Sequence, residues 1–261
     1  MEEELLGRLR TSDFSLTKLN LVLEPSHYFD TDNENGLDVF LDLLRGCTSI
    51  TYVLLERRLA RGLSLLDYTK LLRAIFEIPH LQEVEIWSQR ISWSGLVSSA
   101  MSAKELRKLG LGMITLKDIA PTTLSHPTLE TFYLSDFRLL PSSPEGDSTP
   151  PCLDPILSFL GSCPNLTRVE IYSFPEERPA MTTFLPLFTA PRLTQVTLRR
   201  LHLPASAVVA TNDDRVSIHS PLRNLDMSEN PLGDEGASSI LRKICGVDSL
   251  WRNSECPPSL F

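Results

Sequence analysis

The chain has 261 residues, 42% hydrophobic and 22% charged, with a formal net charge of −8 and a pI near 5.2. This is the composition of an ordinary folded protein, and the acidic balance argues against broad phosphate-backbone binding, which needs clustered lysine and arginine. No apolar run reaches the ~18 residues of a membrane span, and the opening MEEELLGRLR is acidic where a secretory signal would be basic and then apolar, so a cytoplasmic location, or a nuclear one, is expected.

Eight times along the chain an apolar residue is followed by two more, three and five places on. In order these are Leu16 with Leu19 and Leu21, Ile50 with Val53 and Leu55, Leu81 with Val84 and Ile86, and Leu106 with Leu109 and Leu111. Then come Leu129 with Phe132 and Leu134, Leu166 with Val169 and Ile171, Leu193 with Val196 and Leu198, and Leu222 with Leu225 and Met227. The alternation within each triplet predicts a short strand with one face buried. The steps between starts are 34, 31, 25, 23, 37, 27 and 29 residues, which leaves room for a helix on the return. Apolar residues at three- and four-residue spacing predict such helices over 37–45, Leu65–Phe76, 153–160 and 235–244, whereas 119–124 is too short for more than one turn.

Two further marks recur at fixed phase. Pro79, Pro127, Pro164 and Pro191 each lie two residues before a triplet, where proline ends a helix and feeds the next strand. Cys47 and Cys163 share the place three before it with Ile78, Ala103, His126 and Ala190, which predicts two small buried packers and a partly buried histidine. Gly95, Ala120, Ala207 and Gly236 share a later place, where a small side chain is expected to let helix approach strand. The period is broken by an acidic insertion over 26–36 and a Pro/Ser-rich one over 141–155, both expected as surface loops.

Motifs for chemistry are weak. The five cysteines are odd in number and form no C-x-x-C pair, so neither a zinc site nor a disulfide framework is expected. There is no Gly-rich phosphate loop, H-E-x-x-H or G-x-S-x-G. Asp30, Asp32 and Glu34 alternate like the start of a calcium loop, but the glycine comes one residue late at Gly36 and Leu41 stands where a bidentate glutamate is needed. The sequon Asn165-Leu166-Thr167 falls on an expected strand. No cofactor and no metal is expected.

With its Asn230, Leu232 and Gly236, the unit beginning at Leu222 resembles a leucine-rich repeat of the ribonuclease-inhibitor type. The start Cys163-Pro164-Asn165-Leu166 resembles the cysteine-containing repeats attached to F-box proteins. The resemblance runs over about residues 14–246 and implies an α/β fold. That fold is a right-handed solenoid, or horseshoe, with parallel strands on the concave face and helices on the convex face. The array would occupy 1–246 in about eight units, with a C-terminal tail over 247–261. The family places Asn or Cys eight residues into each unit, where it bonds the backbone of adjoining turns. Here only Asn230 keeps it, against Glu24, Arg58, Gln89, Ile114, Phe137, Phe174 and Leu201, so that Gln89 is the one candidate substitute and the other turns are expected to be drier. Neither end reads as a dedicated cap.

The resemblance implies protein recognition without catalysis. By alternation, the third, fifth and seventh positions of each unit point away from the core, onto the concave face. Expected binding residues there are Tyr52, Glu83, Glu85, Trp87, Lys108, Tyr133, Arg168, Glu170, Tyr172 and Arg199. Their mixed signs do not suit a polyanion, and the aromatic residues supply area with a polar handle; against this, Trp87 and the tyrosines would also serve to cover small neighbours such as Gly110 and Gly112. The expected partner is a protein, with no nucleic acid and no membrane. Two other readings stay open: the substrate-recognition part of a larger ubiquitin ligase or NLR-type receptor, and a hydrolase or metal enzyme.

Overall fold

The computed structural model describes residues 16–23, 36–57, 65–140, 152–174, 181, 183–203, 221–233, 236 and 238. Most of the expected helix over 235–244, residues 26–35 and 141–151 of the two insertions, the tail over 247–261, and Glu24, Arg58, Ala207, Cys245 and Cys256 lie outside the described residues. In chain order the elements are β1 (Lys18–Leu23), α1 (Gly36–Gly46), β2 (Tyr52–Arg57), α2 (Leu65–Phe76), β3 (Glu83–Trp87), β4 (Arg90–Ser92), α3 (Trp93–Ala100), β5 (Lys108–Gly112) and β6 (Thr115–Lys117). They continue with β7 (Thr131–Leu139), α4 (Asp154–Ser162), β8 (Arg168–Ser173), a 3-10 turn (Leu185–Thr189), β9 (Gln195–Arg199) and β10 (Asn224–Asp226).

The fold is α/β, with an open parallel sheet in the order β1-β2-β3-β5-β7-β8-β9-β10. Each of these strands begins two residues after a triplet start, and the register has no slip at its origin. Lys18, Tyr52, Glu83, Lys108, Thr131, Arg168, Gln195 and Asn224 form one row across the sheet. Just ahead of that row, one carbonyl in each strand accepts two backbone N–H groups from the next. The Thr17 carbonyl takes those of Thr51 and Tyr52, and the pattern repeats at Thr51, Gln82, Arg107, Glu130, Thr167 and Thr194. Three threonine hydroxyls, of Thr51, Thr167 and Thr194, donate to the same carbonyls.

The inward triplet residues form one core with the helices: Val53, Leu55, Val84, Ile86, Leu111 and Leu134 are fully buried, as are Leu44, Ile75, Leu96 and Leu157. Helices α1, α2 and α3 lie beside one another in chain order, and α4 lies against the 3-10 turn. Three expected helices match α1, α2 and α4. Helix α3 is not among the expected helices, because WSGLVSSA carries helix-poor serine and glycine. It forms because Ser92 Oγ accepts the Gly95 N–H at 3.3 Å as an N-cap, while Trp93, Leu96, Val97 and Ala100 are buried. Residues 118–130 return to the sheet without a helix.

Beyond the main row the backbone continues in a way the triplets did not announce. Ser88, Met113, Asp136, Arg200 and Glu229 have φ between 48° and 63°. Each stands seven residues after its triplet start; Ser88, Met113, Arg200 and Glu229 follow the ends of β3, β5, β9 and β10, whereas Asp136 lies within β7, where the register with β8 shifts between Ser135 and Phe137. None is glycine, and such residues adopt this conformation at a cost of ~1–2 kcal/mol. After the turn, β4 pairs with β6 and β6 with the end of β7, giving a second short parallel ladder.

That ladder explains how the chain does without the expected asparagines. Asn230 Nδ2 donates to the carbonyls of Leu198 at 2.6 Å and Met227 at 2.8 Å, and its Oδ1 accepts the N–H of Leu201 at 2.8 Å. In the middle units the backbone bonds itself: the Gln89 carbonyl accepts the N–H of Thr115, and that of Ile114 the N–H of Arg138. Ile114, Phe137 and Leu201 are then free to be buried. Gln89 does not substitute for asparagine, since its buried Nε2 has no hydrogen-bond partner.

Several other expectations change. Asn165 lies just before β8 instead of on it, and its side chain bonds the Pro127 carbonyl and Arg192. Cys163 is fully buried, and burial pushes its thiol up to about 11, but Cys47 is only half-buried; each thiol donates to the carbonyl four residues back. His126, expected to be partly buried, is 1% exposed, with Nε2 3.1 Å from the Ala100 carbonyl. Gly95 is not a close-approach site, because a Cβ there would touch nothing nearer than the Ser92 side chain at 3.5 Å. The close approach is at Gly161, where a Cβ would fall 1.8 Å from the Pro186 carbonyl oxygen.

These two glycines make opposite predictions. Gly161→Ala forces α4 away from the 3-10 turn and lowers stability by ~1–3 kcal/mol, whereas Gly95→Ala relieves a helix glycine and raises it by ~0.5–1 kcal/mol, both read by denaturant unfolding. Burial holds the folded His126 imidazole below its ordinary value, although hydrogen bonds to the Ala100 and Ala103 backbone act the other way. The unfolded chain therefore takes up a proton that the folded chain refuses, and stability falls as pH drops through about 6.5. His126→Gln, which keeps a donor but does not titrate, flattens that acid limb in unfolding curves measured between about pH 7.5 and 5.5.

Candidate partner-binding face

The face opposite the core is where the sheet meets solvent, since no element among the described residues packs over it. The alternation of the strands brings every expected binding residue to this face, in three groups and one isolated pair.

In the first group, Lys18 Nζ lies 5.5 Å from the centre of the Tyr52 ring. Tyr52 is in register with Glu83, and Glu83 with Lys108. Lys108 Nζ donates to Glu85 at 2.7 Å and stands 3.7 Å from Glu83. The Glu85 hydrogen bond pushes the Lys108 ammonium above its ordinary value. Burial, and then the Glu85 carboxylate, push the Tyr52 phenol upward.

The second group fills a trough. Gly110 and Gly112 occupy outward positions of β5, but both are buried, because neighbours lean over them. A Cβ on Gly110 would lie 3.0 Å from Glu85 Cγ, and one on Gly112 would lie 2.5 Å from Trp87 Cε3. The indole is thus laid flat across β5, and the gap-covering role expected as an alternative for Trp87 is present. Ser135, the next residue along this row in β7, is 2% exposed, and its hydroxyl has no hydrogen-bond partner.

In the third group Tyr133 and Tyr172 meet edge to face, with ring centres 5.6 Å apart. The Tyr172 hydroxyl donates to Glu170, whose other oxygen takes the Arg168 guanidinium. Burial and then the Glu170 bond push the Tyr172 phenol well above its ordinary value. Arg199, in register with Tyr172 on the adjacent strand, pairs with Asp226, Nε donating to Oδ2 at 2.8 Å. Burial acts to raise the Asp226 carboxyl, but the bonds from Arg199 and Ser228 outweigh it and hold the group below its ordinary value.

Two features escaped sequence reasoning. Asp226 was on an outward position, yet its role as the partner of Arg199 depends on the step from β9 to β10. Ser135 was likewise outward in pattern and is buried in fact; the long side chain two strands away at Trp87 is the only signal that pointed to it.

Among the described residues no group of three or more His, Cys, Asp or Glu could hold a metal ion. No described helix is long and apolar enough to cross a membrane. Neither a scan against protein-family models nor a search of curated proteins finds a match for this chain.

Gly112→Ala drives the indole off β5. The tryptophan emission shifts to the red, and the shift vanishes when the substitution is repeated in a Trp87→Phe background, where Trp93 remains buried.

Proposed function

We propose that the chain is a leucine-rich repeat solenoid of the ribonuclease-inhibitor type and works as a non-enzymatic recognition module, holding a protein partner on its strand face. The in-register rows, the recurring left-handed residue and the Asn230 bonding all support the repeat reading. In this reading the strands form the concave side of the horseshoe.

The single observation that carries the functional half is the uncovered sheet face. A parallel sheet normally has both faces buried. Here the core lies on one side only, and the other presents Trp87, Tyr133 and Tyr172, all half-buried, near its middle. Such residues have large contact area and few torsions to freeze, the properties of binding hot spots.

Cross-linking and affinity capture from cells, followed by titration of the purified partner, tests the reading. Tyr133→Ala and Tyr172→Ala weaken the partner by ~10-fold or more, equivalent to a hot-spot loss of ~1.4 kcal/mol or more, while the unfolding transition stays cooperative. Binding that persists in both folded variants rules out this face.

A further inference from the structure

We infer that the strand face takes an uncharged, apolar-rich polypeptide segment, seated on Trp87, Tyr133 and Tyr172; this rests on the protein-recognition reading above and specifies the chemistry of the partner. The sequence shows a face of mixed charge, which by itself suits a charged partner. The structure shows most of those charges already used. From β3 to β10 the charged side chains on the face form three close pairs, Glu85 with Lys108, Arg168 with Glu170 and Arg199 with Asp226, while Glu83, 46% exposed and 3.7 Å from the shared Lys108, is the one carboxylate in excess and lies in the first row of the sheet, four residues before Trp87 on the same strand.

The geometry of the pairs matters as much as their number. Glu85 and Glu170 are the more buried members, 23% and 16% exposed, while Lys108 and Arg168 lie outside them at 36% and 53%. The Tyr172 phenol occupies further acceptor capacity of Glu170. Beside the rings, a partner lysine or arginine would therefore have to displace the cation already on Glu85 or Glu170, and a partner carboxylate would meet a cation already neutralised. Each exchange gives little net gain, because one exposed pair is traded for another of similar strength. Apolar contact faces no such opposition. The aromatic rings, with the Trp87 indole flat over Gly112, offer a broad low platform, and the unpartnered Ser135 hydroxyl beside it can bond a main-chain group of the incoming segment once the rings shift.

The test is selection of random displayed peptides against the full chain, with winners titrated by fluorescence polarisation at about 50 and about 500 mM NaCl. Winners are expected to be poor in Asp, Glu, Lys and Arg, and to change affinity by less than about threefold across that range. They are expected to weaken by about tenfold or more in Tyr133→Ala and Tyr172→Ala, with melting curves recorded to show that both variants fold. Arg168→Gln, which unpairs Glu170 but leaves the rings in place, is expected to turn the selection toward basic peptides. Charge-rich winners that depend on the two tyrosines and lose about tenfold or more in salt overturn this inference while leaving the recognition reading intact. Apolar winners indifferent to both tyrosines, or no winners at all, overturn both. A concentration-dependent dimer of the chain that Tyr172→Ala dissolves overturns the inference by showing that the occupant is a second copy.

Discussion

One carbonyl at the foot of each strand, from Thr17 to Thr194, receives two N–H groups from the strand beside it, and that shared bond sets the register of the main rows above it, which hold until β7 and β8 shift between Ser135 and Phe137. A slip of one residue anywhere would turn an entire triplet outward and expose it. Because the pattern repeats without a slip, leucines, valines and isoleucines far apart in the chain form one continuous apolar layer, and the outward residues form rows of their own. The inward residues of neighbouring strands and the helices share one core, so each strand buries its apolar face against residues from other strands.

The open face takes its shape from the smallest residues in it. Two glycines in β5 remove the side chains that would otherwise stand between β3 and β7, and Glu85 and Trp87 fold down into the vacated space. Lowering Glu85 brings its carboxylate under Lys108, so the same two glycines that flatten the aromatic platform also help to neutralise its charge. On the other flank the Tyr172 phenol and the Arg168 guanidinium share Glu170. The result is a surface rich in ionisable groups whose charges beside the rings are paired, with Glu83 the one carboxylate in excess.

At the strand ends, satisfying the backbone takes precedence over residue type. Where Asn230 is present, its amide bonds the backbone of its own turn and of the turn before it; where Ile114 and Phe137 stand instead, short strands pair and the side chains go into the core. Both solutions give backbone N–H and carbonyl groups at the strand ends a partner, which is the requirement that any buried turn region has to meet. The recurring left-handed residues carry a local conformational cost that the packing of the whole stack offsets.

The eight strands of the main sheet and three of the helices were legible from apolar spacing, because burial of one face imposes a period that survives in the letters; the short strands β4 and β6 were not. The inward set, from Val53 to Leu198, is buried as that spacing requires. Which outward residues are reachable was decided by tertiary structure: Ser135 and the two glycines lie under neighbours from other strands, and Asp226 is tied to Arg199 on the strand beside it. The same holds for Gly161, whose need for a bare Cα comes from the Pro186 carbonyl in the next unit. Periodicity records which way a side chain points; what leans over it depends on the length and charge of residues brought alongside only by the parallel stack.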